Sequence, residues 1–199
     1  MAPPWPLLVG FHGYGENAET HLAELRRIPG ASGWLLVSVQ ALHPFYTKAG
    51  GIVANWMTSQ DRELAIADNV TYAERVLSLV REECATRSPL VFIGFSQGGA
   101  MAYRAAAHVA CDAVIVLAAD VPPDVAVRGE RALPRVLIGR GRQDHWYTAE
   151  RHAGDLATLA SLGATVEVCE FDGGHVWSDE FRHAVAAVLA ATGTAHATR

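Results

Sequence analysis

Residues 90–99 read LVFIGFSQGG, and the fold class follows from this stretch more directly than from any other. The apolar run Leu90–Phe95 is nearly continuous, which is typical of a strand buried on both faces of a parallel sheet. Ser96 follows between two glycines, and Gly98 and Gly99 then open an alanine-rich segment with helical character. The stretch therefore predicts a strand, a sharp turn that carries a serine, and a helix.

Apolar runs alternate with helical patterns along the rest of the chain. Strands are also predicted at Leu7–Phe11, Trp34–Val39, Ala113–Leu117, Arg135–Ile138 and Thr165–Phe171, and helices at about 18–28, 62–85, 98–109, 148–162 and 178–191. This alternation predicts an α/β fold with a mainly parallel sheet and helices on both faces. The segments 43–61 and 120–134 are predicted to be irregular.

Composition restricts the classes of function. The chain has 199 residues, of which 50% are hydrophobic and 19% charged, and its formal net charge is −5. This length predicts one domain, residues 1–199, and the acidic balance argues against a nucleic-acid partner. No apolar run approaches the length of a membrane span, no secretory signal is evident, and Cys84, Cys111 and Cys169 form no disulfide framework. A cytoplasmic location is expected, and the sequence is compatible with a homodimer.

The serine turn matches the G-x-S-x-G pattern of a nucleophile elbow. The chain must turn so sharply at Ser96 that its neighbours have to be very small, which explains Gly94 and Gly98. The turn also places the serine at a helix N-terminus, where the backbone dipole favours negative charge. G-x-S-x-G occurs by chance in many turns, but a strand before it and a helix after it favour the elbow.

A serine nucleophile needs a base and an acid that orients the base. His175 is the candidate base, because it follows the last predicted strand on a glycine-rich loop. Asp144 is the candidate acid, since it lies just after the strand Arg135–Ile138 and keeps the chain order serine, acid, histidine. Asp120 is the reserve candidate, whereas Asp172 is too near His175 in sequence to orient it comfortably.

An oxyanion needs backbone amides that point at the reacting carbonyl. One donor is expected from Gln97, which follows the serine, and the other from Tyr14 in the sequence FHGYGEN of residues 11–17. Gly13 and Gly15 could instead form a phosphate-binding turn, but the G-x-G-x-x-G spacing is absent. No metal-ligand spacing occurs, so we predict neither a metal nor another cofactor. Five further histidines lie on predicted helices or in the C-terminal tail and are expected to have no catalytic role: His21, His108, His152, His183 and His196.

These motifs together resemble the phospholipase/carboxylesterase branch of the α/β-hydrolases, which includes acyl-protein thioesterase-like enzymes and predicted bacterial esterases. The resemblance is carried by residues 11–17, by GFSQGG at 94–99, and by Asp144 with Gly173-Gly-His175. It implies a Ser96–His175–Asp144 triad and oxyanion donors at Tyr14 and Gln97. It also implies that Leu7–Phe11 is the third strand of the full fold, so that the first two edge strands are missing.

The sequence departs from this family at positions that bear on substrate choice. Val176 stands where a glutamate is frequent, Ala118 and Ala119 stand where Ser-Gly is usual, and Trp56 is followed by Met57-Thr58. An ester hydrolase acting on small or medium acyl substrates is therefore predicted, with an acyl thioesterase or lysophospholipase as the alternative. A dienelactone-hydrolase-like enzyme is disfavoured because it usually has cysteine at the elbow, and a non-catalytic binding protein would have no use for a triad.

The substrate is expected to lie under the irregular segment 43–61. Its aromatic and apolar side chains are the candidate substrate contacts, because such walls are normal in small-molecule pockets. Ordinary packing of a long loop explains the same residues nearly as well. No stretch remains for a helical lid between Leu117 and Arg135, so an open site is predicted. The candidate contacts are Phe45, Tyr46, Trp56 and Met57.

Overall fold

A six-stranded sheet is the central element of the computed structural model, which describes residues 3–128 and 133–197. Every neighbouring pair of its strands is parallel, which confirms the predicted α/β class. The boundaries differ from expectation mainly at the start of the fifth strand, which begins at Thr86 rather than Leu90. In sheet order the strands are β2 (Leu35–Val39), β1 (Trp5–Phe11), β5 (Thr86–Phe95), β6 (Ala113–Leu117), β7 (Arg135–Gly141) and β8 (Val166–Phe171).

Burial follows the position of each strand in the sheet. Every residue of β6, in the middle of the sheet, is buried, as are residues 89–95 of β5. The edge strand β8 keeps only Phe171 fully buried. This contrast explains why the central strands have nearly continuous apolar sequences, since helices cover both of their faces.

Helices pack on both faces of the sheet. Val116 approaches Gly99 of the third helix, whereas the next residue, Leu117, lies near Phe181 of the last helix. Because successive side chains of a strand point to opposite faces, these two helices lie on opposite sides of β6. The helices are α1 (Ala18–Arg26), α2 (Arg62–Glu83), α3 (Gln97–His108), α4 (Pro123–Arg128), α5 (Ala149–Ser161) and α6 (Asp179–Ala197), with a short 3-10 helix at Ala31–Gly33.

The segment 43–61 is not irregular, contrary to the prediction. It contains the antiparallel strands β3 (His43–Tyr46) and β4 (Ile52–Asn55), which form a hairpin apart from the main sheet. The hairpin was not predicted because β3 contains Pro44 and most of its side chains are exposed. An exposed strand with a proline lacks the usual alternation of apolar and polar residues. The hairpin is joined to the loop after β1, since the amide of Ala54 donates to the carbonyl of Glu16.

The segment 120–134 also differs from expectation. It contains α4, a helix of six residues, and Val125 within it is buried. A short helix therefore stands between Leu117 and Arg135, where the sequence predicted no helical lid. Residues 129–132 of this segment lie outside the described part of the chain.

Candidate active site

Ser96 lies at the sharp turn between β5 and α3 and adopts a strained backbone conformation. Its φ is 52° and its ψ is −124°, in a region that side-chain-bearing residues seldom occupy. The flanking glycines have no space for a side chain. A Cβ on Gly94 would lie 2.2 Å from the carbonyl oxygen of Gly98, and one on Gly98 would lie 2.0 Å from that of Phe11. The backbone of the elbow therefore has one accessible arrangement.

Three of the residues predicted for the site are joined by hydrogen bonds. His175 Nε2 lies 2.8 Å from Ser96 Oγ, and His175 Nδ1 lies 2.7 Å from Asp144 Oδ2. Because Asp144 is an acceptor, the consistent tautomer has the proton on Nδ1, which leaves Nε2 free to accept from the serine hydroxyl. The arrangement can move a proton from Ser96 to the imidazole while the carboxylate stabilises the resulting positive charge.

Asp144 is held from both sides. Its side chain is fully buried, and its second oxygen, Oδ1, accepts from the amides of Trp146 and Tyr147 at 2.8 and 2.9 Å. The loop that carries Asp144 is also bonded to the loop that carries His175, since the amide of Gln143 donates to the carbonyl of Gly173 at 2.9 Å. Backbone contacts therefore fix the separation between the acid and the base.

The two other candidate acids are engaged elsewhere. Asp120 is exposed and forms an ion pair with Arg151 at 2.9 Å. Asp172 is exposed and accepts from the side-chain amide of Gln143 at 2.9 Å. The structure brings Asp144, and neither of these carboxylates, into contact with His175.

The loop after β1, which carries the predicted oxyanion donor Tyr14, turns tightly around its two glycines. The amide of Gly13 donates to the carboxylate of Glu16 at 2.8 Å, and Gly15 adopts a φ of +73° that favours glycine. Burial raises the pKa of Glu16. Among the described residues, no acceptor is bonded to the amide of Tyr14 or to that of Gln97. Both predicted donors therefore remain available to a bound oxyanion.

A buried histidine holds the backbone of this loop in place. His12 is fully buried, its Nδ1 donates to the carbonyl of Gly13 at 2.7 Å, and its Nε2 accepts from the amide of Ala41 at 3.1 Å. Burial lowers the pKa of His12, so the neutral ring that these two bonds require is favoured. No role was predicted for His12, although it directly precedes Gly13 and Tyr14 in the sequence.

Trp56 belongs to the scaffold, in contrast to the prediction that it contacts substrate. It has no exposed surface, its indole N–H donates to the carbonyl of His12 at 2.8 Å, and its amide donates to Gln97 Oε1 at 2.7 Å. Phe45 and Tyr46 do not line the cavity at Ser96, because the hairpin carries them to the outer side, where Phe45 packs against Tyr14. Of the predicted contacts, only Met57 lines the cavity.

The cavity that reaches Ser96 and His175 has a volume of about 720 Å³. Its walls combine apolar side chains from residues 118–123 with charged groups that the sequence analysis did not assign to the site. Arg104 is buried and forms a bidentate pair with Asp124 at 2.8 Å, and its remaining donor faces the sulfur of Met57 at 3.7 Å. The other charged or hydroxyl-bearing lining residues are Thr58, Ser59, Arg62, Asp120, Tyr147, Arg151 and Asp155.

A second cavity of about 420 Å³ lies on the other side of His175. Buried Arg182 dominates it, since its guanidinium binds Glu24 of α1 and also Asp179, and it stacks on Trp177. Glu16 and Phe95 complete the wall nearest to His175. His175 therefore lines both cavities.

Three further observations concern the described part of the chain, residues 3–128 and 133–197. No helix there is long and apolar enough to cross a membrane. No group of three or more His, Cys, Asp or Glu side chains there could hold a metal ion. Cys84, Cys111 and Cys169 form no disulfide bond there.

Solved structures share this architecture over nearly the whole chain. A carboxylesterase from Mesorhizobium loti has a TM-score of 0.77 at 22% identity, covering 93% of this chain and 88% of its own. Esterase PE8 has a TM-score of 0.74 at 22% identity, with coverage of 94% and 92%. Acyl-protein thioesterase 2 from Zea mays has a TM-score of 0.68 at 20% identity, with coverage of 96% for both chains. No protein-family profile and no curated protein sequence matches the chain. The chain has the α/β-hydrolase fold that these esterases and this thioesterase share.

Proposed function

We propose that the protein is a serine hydrolase that cleaves carboxylic ester bonds through an acyl-enzyme. The hydrogen-bonded chain from Ser96 Oγ through His175 to buried Asp144 carries this proposal. As Ser96 attacks the acyl carbonyl, His175 Nε2 accepts the hydroxyl proton. Asp144 keeps the proton of the neutral ring on Nδ1 and stabilises the imidazolium that forms.

The negative charge of the tetrahedral intermediate needs donors that are already in place. In the proposed mechanism the amides of Tyr14 and Gln97 donate to the oxyanion, and each such donor is typically worth about 3–4 kcal/mol of barrier. The intermediate then collapses, the ester C–O bond breaks, and His175 passes its proton to the leaving alcohol. A water molecule that loses its proton to His175 next attacks the acyl-enzyme, and Ser96 leaves with that proton. No cofactor is required for any of these steps.

The lining of the larger cavity supports small or medium acyl groups. A long apolar chain would have to lie against the exposed charges of Arg62, Asp120 and Arg151 on the cavity wall, where it would displace their water without offering them polar partners. The proposed contacts of the acyl group are the apolar lining residues Met57, Ala118, Ala119, Val121, Pro122 and Pro123. An acyl thioesterase remains the alternative within the same chemistry, whereas a lysophospholipase is disfavoured by these charged walls.

We also propose that the protein is located in a reducing compartment. Three cysteines that form no disulfide bond are typical of proteins kept under reducing conditions. We therefore propose a cytoplasmic location, and fractionation of the native host cells would test it directly.

Labelling by a fluorophosphonate probe tests the proposed chemistry. We expect the wild-type protein to be labelled and Ser96→Ala to remain unlabelled, because the probe reacts with an activated serine. Ser59→Ala is the matched control, since Ser59 lines the same cavity without contacting His175. An unlabelled wild-type protein would instead support a non-catalytic binding role.

Hydrolysis rates over p-nitrophenyl esters of graded acyl length, with acyl-thioester comparators, would then define the substrate class. We expect kcat/KM to be highest for short and medium acyl chains and to fall for long ones. A maximum at long chains would contradict the assignment of the charged cavity to the acyl group. A preference for thioesters at every chain length would move the protein to the thioesterase alternative.

A further inference from the structure

Two buried polar side chains outside the Ser96–His175–Asp144 chain are connected to it. The amide of Tyr147 donates to Asp144 Oδ1 at 2.9 Å, and the hydroxyl of the same residue donates to Asp155 Oδ2 at 2.7 Å. Tyr147 therefore holds the carboxylate of Asp144 with its backbone while α5 holds its ring through Asp155.

Asp155 is in turn bonded to the wall of the larger cavity. Its other oxygen, Oδ1, accepts from the amide of Val121 at 3.0 Å, in the segment between β6 and α4. Both oxygens thus accept a hydrogen bond, which is the pattern of an ionised carboxylate. Burial raises the pKa of Asp155, and the bonds from Tyr147 and Val121 oppose that shift.

Because these groups are buried, their hydrogen bonds are stronger than similar contacts at the surface. Tyr147 and Asp155 are only 1% and 8% exposed, and Val121 is buried as well. In such surroundings a carboxylate that lost its partner would be costly, so the pair is strongly held together. The loop that carries Asp144 includes a bend at residues 145–147 with no regular secondary structure, and it depends on such side-chain bonds for its shape.

We infer that Tyr147 and Asp155 are positioning residues for the catalytic acid, forming a hydrogen-bonded strut that runs from the cavity wall at Val121 to Asp144. This inference rests on the proposed function of Ser96, because the strut acts only through Asp144 and His175. Neither Tyr147 nor Asp155 touches the reacting atoms. Their effect is to keep Asp144 Oδ2 aimed at His175 Nδ1.

A neighbouring tyrosine provides a matched control. Tyr103 is fully buried beside the same carboxylate, yet its hydroxyl has no hydrogen-bond partner among the described residues. Tyr147→Phe and Tyr103→Phe each remove one buried phenolic hydroxyl from the same region. Only the first of them breaks a bond of the strut.

Steady-state kinetics on a short p-nitrophenyl ester test the inference. We expect Tyr147→Phe to lower kcat about fivefold, as the loss of one hydrogen bond implies, with KM unchanged. Tyr103→Phe should leave kcat unchanged. Asp155→Asn should retain most of the activity, since its amide can still accept from Val121 and donate to the oxygen of Tyr147, whereas Asp155→Ala should lower kcat.

A double-mutant cycle separates positioning from general stability. The Tyr147→Phe/Asp155→Ala variant should be no slower than Asp155→Ala alone, because Asp155→Ala already removes the hydrogen bond that Tyr147→Phe would break. Additive losses in kcat would overturn the inference, and so would an equal loss in Tyr103→Phe or an unchanged kcat in Tyr147→Phe. If Asp155→Ala does not fold, the two conservative tyrosine variants still decide the question.

A spectroscopic measurement keeps this inference distinguishable from the proposed function. The proton between His175 Nδ1 and Asp144 Oδ2, which lie 2.7 Å apart, should give a low-field proton resonance in NMR spectra. We expect that resonance to shift or broaden in Tyr147→Phe and to stay unchanged in Tyr103→Phe. If the wild type is not labelled by the fluorophosphonate, the proposed function fails, but the resonance still tests the strut. If the wild type is labelled and the resonance is identical in both tyrosine variants, only the strut is disproved.

Discussion

The elbow, residues 94–99, and the hairpin, residues 43–55, lie at the same edge of the molecule but differ in how tightly they are built. At the elbow a methyl group on Gly94 or Gly98 would collide with backbone atoms. At the hairpin Tyr46 is 74% exposed, and a Cβ on Gly50 would meet no other atom within 4 Å. The position of Ser96 is thus fixed by close backbone contacts, while the tip of the hairpin has few contacts that constrain it.

This difference makes the contacts between the elbow and the hairpin important. The backbone hydrogen bonds that join the hairpin to the loop after β1 lie near its base, where Ala54 pairs with Glu16, and the following Trp56 binds His12 and Gln97. Changes at the elbow or its hydrogen-bonded partners should therefore affect activity strongly. Changes at the hairpin tip should affect it very little.

The largest effect is expected from a substitution of Asp144, which is hydrogen-bonded to His175, the partner of Ser96 at the elbow. Asp144→Asn should lower kcat by about 10⁴-fold with little change in stability, because an amide favours the wrong tautomer of His175. Kinetics on a p-nitrophenyl ester and a thermal melt would measure both quantities. Asp120→Asn is the control and should retain full activity, and the reverse result would transfer the role of acid to Asp120.

A smaller but still severe effect is expected from adding one methyl group at the elbow. Gly98→Ala should destabilise the protein by about 1–3 kcal/mol, because the backbone of Phe11 would have to move, and activity should fall with it. Urea unfolding and activity measured side by side would show this. Gly154→Ala in α5, where a Cβ meets no other atom within 4 Å, should be neutral or stabilising by up to about 1 kcal/mol. Equal losses in the two variants would show that the backbone is packed no more tightly around Gly98 than around Gly154.

The rigid region should also be sensitive to acid. His21 is buried with no hydrogen-bond partner for either ring nitrogen among the described residues, and burial lowers its pKa to about 3. Below the ordinary histidine pKa of about 6.5, the unfolded state therefore binds a proton that the folded state does not. Stability should decline as the pH falls from about 6.5 towards 3, by at most about 1.4 kcal/mol per pH unit from this residue.

His21→Leu isolates that contribution from those of other groups. His12, whose pKa is also lowered by burial, and the carboxylates titrate in both proteins, so the difference between wild type and variant reports His21 alone. Urea midpoints measured between pH 4 and pH 7.5 should become less dependent on pH in the variant. An unchanged pH dependence would show that His21 is protonated in the folded state.

The smallest effect is expected at the hairpin tip. Tyr46→Ser removes an exposed side chain and should change stability by less than about 0.5 kcal/mol, with kcat/KM for short esters unchanged. A thermal melt and the same esterase measurements would test it. A large loss of activity would mean that Tyr46 contacts substrate after all, and that the hairpin closes over the site when substrate is bound.

The elbow and the alternation of strands and helices along the chain could be predicted because both depend on short-range rules. Glycines around a serine, after an apolar run and before a helix, report a steric requirement that acts within a few residues. The carboxyl ends of parallel strands meet at one edge, which is why Asp144 and His175 could be named before their contacts were known.

Other parts of the site could not be predicted because long-range packing decides them. Arg104 and Asp155 reach the cavity from the faces of two helices that are distant in sequence, and nothing local distinguishes them from ordinary surface charges. Trp56 was predicted to contact substrate because it is an aromatic residue in a segment with no helical or strand pattern. Whether such a residue enters the core or lines a pocket depends on partners such as His12, 44 residues away.

The sequence by itself determined the α/β class, the strand–turn–helix at Ser96, and the candidates His175 and Asp144, because local sterics and strand order leave few alternatives. Only the tertiary structure decided which carboxylate meets His175, that the cavity walls carry charge, and that Tyr147 and Asp155 brace the acid. Those features depend on hydrogen bonds between elements that come together only when the sheet is assembled. These features can be recognised only in the folded structure.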